Sequence, residues 1–418
     1  MSLPAAHRPH RSGAGLAPDT PDVLGQSDRT RVVHLITGLT LGGAERHVES
    51  LLRGSRYDTH VLAVYRDGPV GEQLRAQGHR ARSLDLQGIP RPTAILRVAA
   101  ELRRLRPDVV HVHLLSAQGI GIPAARLARV PVVVSTEHSI MDNEVEGRPT
   151  TRRLKFVYRC WERFATHTVA VSPTTARRLH EWGVPERRTS VVELGIDFTR
   201  LRFDRQARTA VRAELGVGAG ADVVGAVGRL DPVKRFPVLV NALSGWLGEG
   251  DRHLVIVGAG PQHALLEDLA ARAGVSDRVH VVGPRPDVIR WLSAFDVLAS
   301  PSRDETFGIA VVEAIGNGLP VVYAQCPAVE DLGLSAPRWF RLPDGSGPDG
   351  PDSAQEEAAV RSGVVQALAA GRDQDSSQVP AELIAHYDVR RRVGEIDDLY
   401  ARLLGARRGR QAGERTSC

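Results

Sequence analysis

Between Arg31 and Ala324 the chain runs twice through one rhythm: short Val-, Leu- and Ile-rich runs separated by stretches long enough for two or more helical turns. The first set is RVVHLIT (31–37), THVLAVY (59–65), PDVVHVHLL (107–115), PVVVSTEH (131–138), HTVAVSP (167–173) and TSVVELGID (189–197). The second is DVVGAVGRL (222–230), HLVIVGAG (253–260), RVHVVG (278–283), DVLASPS (296–302) and LPVVYA (319–324). A strand that is apolar along its whole length, rather than at alternate positions, is covered on both faces. Such strands alternating with helices predict a doubly wound parallel sheet, and the repetition predicts two α/β domains.

Length agrees, since 418 residues exceed what one core ordinarily serves. The rhythm sets the boundaries: a first domain over 31–198, a junction near 198–215 and a second domain over 199–385. Residues 1–30 are rich in Pro, Arg, Ser and Gly without apolar period and predict a disordered tail. Near the other end, VRRRVGEIDDLYARLLG (389–405) places Val393, Ile396, Leu399 and Leu403 on one helical face, so the segment 386–405 must pack on something. Residues 406–418 read as a second polar tail. Three scattered cysteines form no disulfide framework and no zinc pattern, which points to a reducing cytoplasm. No apolar run has the length of a membrane span or the placement of a signal segment. The net charge of +5 permits acidic partners without requiring them, and nothing marks a nucleic-acid binder. Arginine supplies nearly all the basic charge, with lysine only at Lys155 and Lys234.

Ligands of doubly wound sheets bind beyond the carboxyl ends of the strands, and the polar motifs lie there. After the first strand, TGLTLGGAERHV (37–48) brings Gly42 and Gly43 to a helix start, where bare N–H groups and the helix dipole suit an anion. A plain tight turn is the competing reading. GRLDPVKRF (228–236) sets Arg229 and Lys234 across a turn so that both can converge on one anion, against the alternative of two solvated cations. VGAGP (257–261), with Gly258 and Gly260, and GPRPD (283–287), with Arg285, are further strand-end turns. STEHS (135–139) puts Glu137 and His138 on the crevice side of the first domain. In SRDETFGIAVVEA (302–314), Glu305 lies in a turn, the amides of Thr306, Phe307, Gly308 and Ile309 open a helix, and Glu313 stands among apolar neighbours. A carboxylate there must find a partner: the hydroxyls of a vicinal diol, or one of the chain's many arginines.

These residues resemble the family four retaining glycosyltransferases of the GT-B fold, over about Arg31 to Leu404. The resemblance rests on the E-x7-E pair after a PS strand end, on GRL…K and on GGAE. It implies two Rossmann-like domains facing a central crevice, nucleotide-sugar chemistry without a metal or other cofactor, and a last helix crossing back onto the first domain. By resemblance, Arg229 and Lys234 grip the donor diphosphate, Glu313 the ribose, and Glu305 with the amides of Phe307 and Gly308 the donor sugar. His138 touches that sugar from the first domain, and Gly42 and Gly43 lie beside the diphosphate and acceptor. Thr306 stands where the family commonly has Gly, ELG (193–195) where PNG is common, and AQCPAVED (324–331) where Gly-Gly is usual.

The expected reaction is transfer of a sugar from a UDP- or GDP-linked donor to an acceptor hydroxyl with retention. The alternatives are a non-catalytic nucleotide-sugar-binding partner, or an epimerase or phosphorylase on the same fold. RPTTRRLKFVYRCWERFA (148–165) carries Arg152, Arg153, Lys155, Arg159 and Arg163 with Leu154, Tyr158, Trp161 and Phe164 on one helical stretch. That pattern suits a peripheral contact with the inner membrane face, or a helix that buries its apolar side on the sheet.

Overall fold

The computed structural model describes residues 30–141, 144–343, 353–373 and 379–416. The tail expected over 1–30 therefore lies, except for Thr30, outside the described residues. The first sheet has seven strands: β1 (Arg31–Gly38), β2 (Asp58–Arg66), β3 (Arg80–Ser83), β4 (Val109–His113), β5 (Val132–Glu137), β8 (His167–Ala170) and β9 (Thr189–Val191). Between β5 and β8 sits a two-stranded antiparallel hairpin, β6 (Glu144–Val145) with β7 (Arg148–Pro149). The second sheet has six: β10 (Asp222–Val227), β11 (Arg252–Val257), β12 (Val279–Val281), β13 (Val297–Ser300), β14 (Val321–Tyr323) and β15 (Trp339–Arg341).

Strand order is β3-β2-β1-β4-β5-β8-β9 in the first sheet and β12-β11-β10-β13-β14-β15 in the second, with every pairing parallel. Each order reverses beside its first strand, β1 or β10, and such a switch point opens a crevice beyond the strand ends. The doubly wound α/β architecture is thus as the apolar runs require. Two strands not foreseen, β3 and β15, both lie at sheet edges.

Helix ends follow local chemistry. Thr151 Oγ1 accepts from Leu154 N–H at the start of Arg152–Glu162, Ser172 from Thr175 N–H at Pro173–Glu181, and Asp204 from Gln206 and Ala207 N–H at Arg205–Glu214. The last helix spans Val389–Thr416. Its Val393, Ile396, Leu399 and Tyr400 bury against Val32, Val109, Val132 and Val134 of the first sheet. Asp397 fixes the register by accepting Ser55 Oγ at 2.7 Å and Arg56 N–H at 2.9 Å. The helix continues beyond 405 through residues expected as a polar tail, because Ala, Arg, Gln and Glu there are good helix formers despite their polarity.

Asp397→Ala is expected to lower unfolding stability by about 2 kcal/mol, since it leaves two donors without their charged acceptor. Urea unfolding checks this, and an unchanged midpoint would show that the clasp contributes nothing.

Candidate active site

A cavity of about 560 Å³ lies between the strand ends of the two sheets. From the first domain its wall takes Gly42, Gly43 and Arg46; from the second it takes Arg229, Lys234, Gly258, Arg285, Glu305, Gly308, Ile309 and Glu313. The helices Gly43–Gly54 and Ile309–Gly316 turn their N-terminal ends toward each other there. A methyl group on Gly43 would sit 3.8 Å from Ile309 Cγ2, so the approach is close. Gly308 is constrained twice: its φ of +87° is left-handed, and a Cβ would lie 2.6 Å from Cys326 Sγ.

Most of the charged groups of the crevice have a carboxylate or cation partner. Lys234 Nζ lies 2.6 Å from Glu305 Oε1, and Arg229 Nη2 lies 3.1 Å from Asp231 Oδ2. Glu305 is held from behind, its N–H donating to Gln325 Oε1 at 2.8 Å. Glu313, buried among Val311, Val312, Ala314 and Ile315, receives a hydrogen bond from Arg46 Nη1 on the opposite domain. Arg46 thus satisfies the carboxylate that the sequence leaves in apolar company, and it is a residue that sequence reasoning passed over. Its signal was its position, three residues beyond the glycine pair of GGAERH.

Four of the expected residues stand off the wall. Gly260 and its neighbour Gly258 serve backbone packing: a Cβ on Gly258 would fall 1.8 Å from Gly228 O, and one on Gly260 would fall 2.6 Å from Leu230 O. Phe307 is buried, with its ring edge-on to Tyr387. Thr306 Oγ1 donates to the carbonyl of His138 at 2.8 Å, tying the two domains together. His138 directs Nε2 inward, 3.2 Å from His113 Nδ1. Arg285 is on the wall, paired with Glu214 at 3.1 Å and stacked over Trp291. A further tie joins Arg178 Nη2 to Asp304 Oδ1 at 2.9 Å.

His138 belongs to a buried cluster with His34, His47, His111 and His113. Register explains it: His34 pairs with His111 across β1 and β4, and alternate residues His111 and His113 share a face. The signal available beforehand was the HVH repeat in β4. Ligand atoms of His34, His111 and His113 lie within 4.8 Å of one another, a spacing that could hold a metal ion. His34 Nδ1 meets His113 Nε2 at 3.1 Å, and His111 meets Tyr400 at 2.6 Å and Thr136 at 2.5 Å, while His34 Nε2 is buried without a hydrogen-bond partner. Burial lowers the histidine pKa values, to about 3 for His34 and about 4 for His47, and well below the ordinary value for His111, His113 and His138.

Two parallel sheets facing one crevice at their switch points define a GT-B fold. The sequence family "Glycosyltransferase Family 4" matches residues 41–200, and "Glycosyl transferases group 1" matches 221–336. Together the matches take in more than half of the chain, which belongs to this family and is a glycosyltransferase. The D-inositol 3-phosphate glycosyltransferase of Nocardia farcinica is 34% identical over 307 residues, 67% of this chain and 66% of that relative. This chain therefore spans about two thirds of that relative's length. A GDP-mannose-dependent alpha-mannosyltransferase of Mycobacterium tuberculosis is 29% identical, covering 70% of this chain and 78% of the relative. Among solved structures, Anabaena Alr3699/HepE in complex with UDP-glucose superposes with a TM-score of 0.73 at 23% identity, over 90% of this chain and 99% of that one. Sucrose-phosphate synthase from Thermosynechococcus elongatus gives 0.71 at 18%, over 90% and 100%. At those identities the structures speak for the fold.

The histidine cluster sets a pH dependence. Folded, these groups stay neutral far below pH 6.5; unfolded, each takes up a proton there. The unfolded state then binds more protons, so stability is full above about pH 6.5 and falls as pH drops toward the folded values. Each histidine adds at most about 1.4 kcal/mol per pH unit to the slope. Unfolding free energy measured from pH 7 to 5 is expected to decline, and His34→Asn to flatten the decline. An equal slope in the variant would contradict the assignment.

Proposed function

We propose that the protein transfers a sugar from a UDP- or GDP-linked donor to an acceptor hydroxyl, with retention at the anomeric carbon and without a metal ion. The observation that carries this is the convergence of Arg229, Lys234, Glu305 and Glu313 on one interdomain crevice beside Gly42 and Gly43. The names of relatives that use GDP-mannose or were solved with UDP-glucose support a nucleotide-sugar donor.

In this reading Glu313 accepts hydrogen bonds from the ribose diol, which needs an acceptor for each hydroxyl. Arg229 and Lys234 meet the diphosphate, exchanging their present carboxylate partners for phosphate oxygens. As the glycosidic bond breaks, negative charge grows on the leaving diphosphate, and these fixed cations stabilise it together with the facing helix N-termini. Lys234 leaving Glu305 releases that carboxylate to accept from the sugar hydroxyls, with the Phe307 and Gly308 amides alongside. His138 acts from the first domain, its carbonyl bracing Thr306 of the same loop. The acceptor hydroxyl approaches from the first-domain side, and the departing diphosphate takes its proton.

The helix Arg152–Glu162 supports a peripheral membrane contact at the inner face. It buries Tyr158 and Trp161 but leaves Phe156 66% exposed and Phe164, just beyond it, 56% exposed, among exposed Arg152, Arg153, Arg159 and Arg163. Aromatics between arginines suit an anionic lipid surface. Among the described residues no helix is long and apolar enough to cross a membrane. Sedimentation with phosphatidylglycerol vesicles, but not phosphatidylcholine vesicles, is expected, and Phe156→Ala/Phe164→Ala should reduce it. Equal sedimentation with both lipids would oppose the contact.

Lys234→Ala and Arg229→Ala are each expected to lower turnover by about a hundredfold or more while the melting temperature stays near that of the native protein. Nucleoside diphosphate release, followed with and without acceptor and in EDTA, is the assay. Wild-type rates in either variant would refute the diphosphate assignment, and EDTA inactivation reversed by magnesium would refute metal independence. Release without any acceptor requirement would favour another reaction on the same fold.

A further inference from the structure

We propose that Arg46 is a positioning residue for the donor nucleotide, reaching across the crevice to hold Glu313 in the orientation that accepts the ribose. The inference rests on the assignment of Glu313 to the ribose.

Arg46 lies on the helix Gly43–Gly54 of the first domain and Glu313 on the helix Ile309–Gly316 of the second. Arg46 Nη1 donates to Glu313 Oε1, and no other side chain bonds this carboxylate among the described residues. The carboxylate is buried at 6% exposure, with apolar residues on either side of it in the helix. An ionised carboxylate so placed needs a cationic or hydrogen-bonding partner, and its own domain does not supply one. The partner comes across the crevice. Arg46 also lines a second cavity of about 280 Å³ that shares Gly43, Ile309 and Glu313 with the first, so the pair forms the partition between the two spaces. A carboxylate has about four lone-pair sites on two oxygens. With one oxygen held by Arg46, the group retains capacity for ribose hydroxyls while its rotation is restricted. Arg46 therefore acts through Glu313 and keeps it aimed. The Thr306–His138 and Arg178–Asp304 contacts join the two domains by other residues.

The test is calorimetric binding of UDP, GDP and their 2′-deoxyribose counterparts to the native full-length protein and to Arg46→Gln, Arg46→Lys, Glu313→Gln and the Arg46→Gln/Glu313→Gln double variant, with near-ultraviolet circular dichroism to confirm folding. Whichever ribonucleotide the native protein binds is expected to bind about tenfold more weakly to Arg46→Gln, the size of losing one charge-assisted contact. Arg46→Lys should restore part of that loss, the preference for ribose over 2′-deoxyribose should shrink in Arg46→Gln, and the double variant should bind no worse than Glu313→Gln alone. If Glu313→Gln weakens binding while Arg46→Gln binds as the native protein or more tightly, Arg46 does not position the carboxylate and the inference is overturned by itself. If Glu313→Gln keeps native affinity and native ribose preference, the ribose assignment fails and takes the inference with it. Additive losses in the double variant would also overturn it, because two residues acting through one contact cannot be lost twice.

Discussion

Everything polar in this protein is placed by one constraint: both sheets are parallel and covered by helices on both faces, so their interiors admit almost no unpaired charge. The carboxyl ends of the strands are where that constraint relaxes, because there the chain turns from strand to helix and opens onto the crevice. The charged side chains that line the crevice are accordingly strand-end residues or lie in the first turns of the following helix. Glu313 is the extreme case. It sits far enough into its helix to need help, and the help comes from Arg46 of the other domain.

Three ion pairs stand at the crevice. Lys234 with Glu305, Arg229 with Asp231 and Arg46 with Glu313 each pair a cation with a carboxylate. The Lys234–Glu305 and Arg46–Glu313 pairs keep largely buried charges tolerable, whereas the Arg229 side chain is about half exposed. Under the proposed donor assignment, a donor would substitute for existing partners: phosphate oxygens in place of carboxylates at the cations, and hydroxyls in place of a cation at Glu305. On that proposal, affinity would reflect an exchange of partners, favouring a ligand that carries both a diphosphate and hydroxyls over one that carries either alone.

How much was legible beforehand follows from the same physics. The central strands β1, β4, β5, β10, β11 and β13 are continuous apolar runs because both their faces are buried, and the sequence shows them plainly. The edge strands β3, reading RARS, and β15, reading WFR, have a neighbour on one side only and need no such run, so they left no signal. The helix past 405 was hidden by its polarity, since helix formers without an apolar period read as a polar tail. In the crevice, Arg229, Lys234, Glu305 and Glu313 were visible because each follows a recognisable strand end. Arg46 was not, because its role depends on a contact between domains; Gln325 was not, because it meets the Glu305 N–H from a loop 20 residues further along; and of the histidine cluster only His138 was singled out, since His34, His111 and His113 gather through the pairing of β1 with β4. Thr306 and His138 were identified as crevice residues, yet they meet each other, side chain to carbonyl.

The central claim is that one crevice holds the whole donor, with ribose at Glu313 and diphosphate between Arg229 and Lys234. A crystal structure with bound UDP or GDP, whichever binds in solution, tests it most directly. The expected density places both ribose hydroxyls within hydrogen-bond distance of Glu313 and the phosphates against Arg229, Lys234 and the Gly42–Gly43 amides. A nucleotide bound outside the crevice, or bound within it with the Glu313 carboxylate contacting only Arg46, would contradict the account.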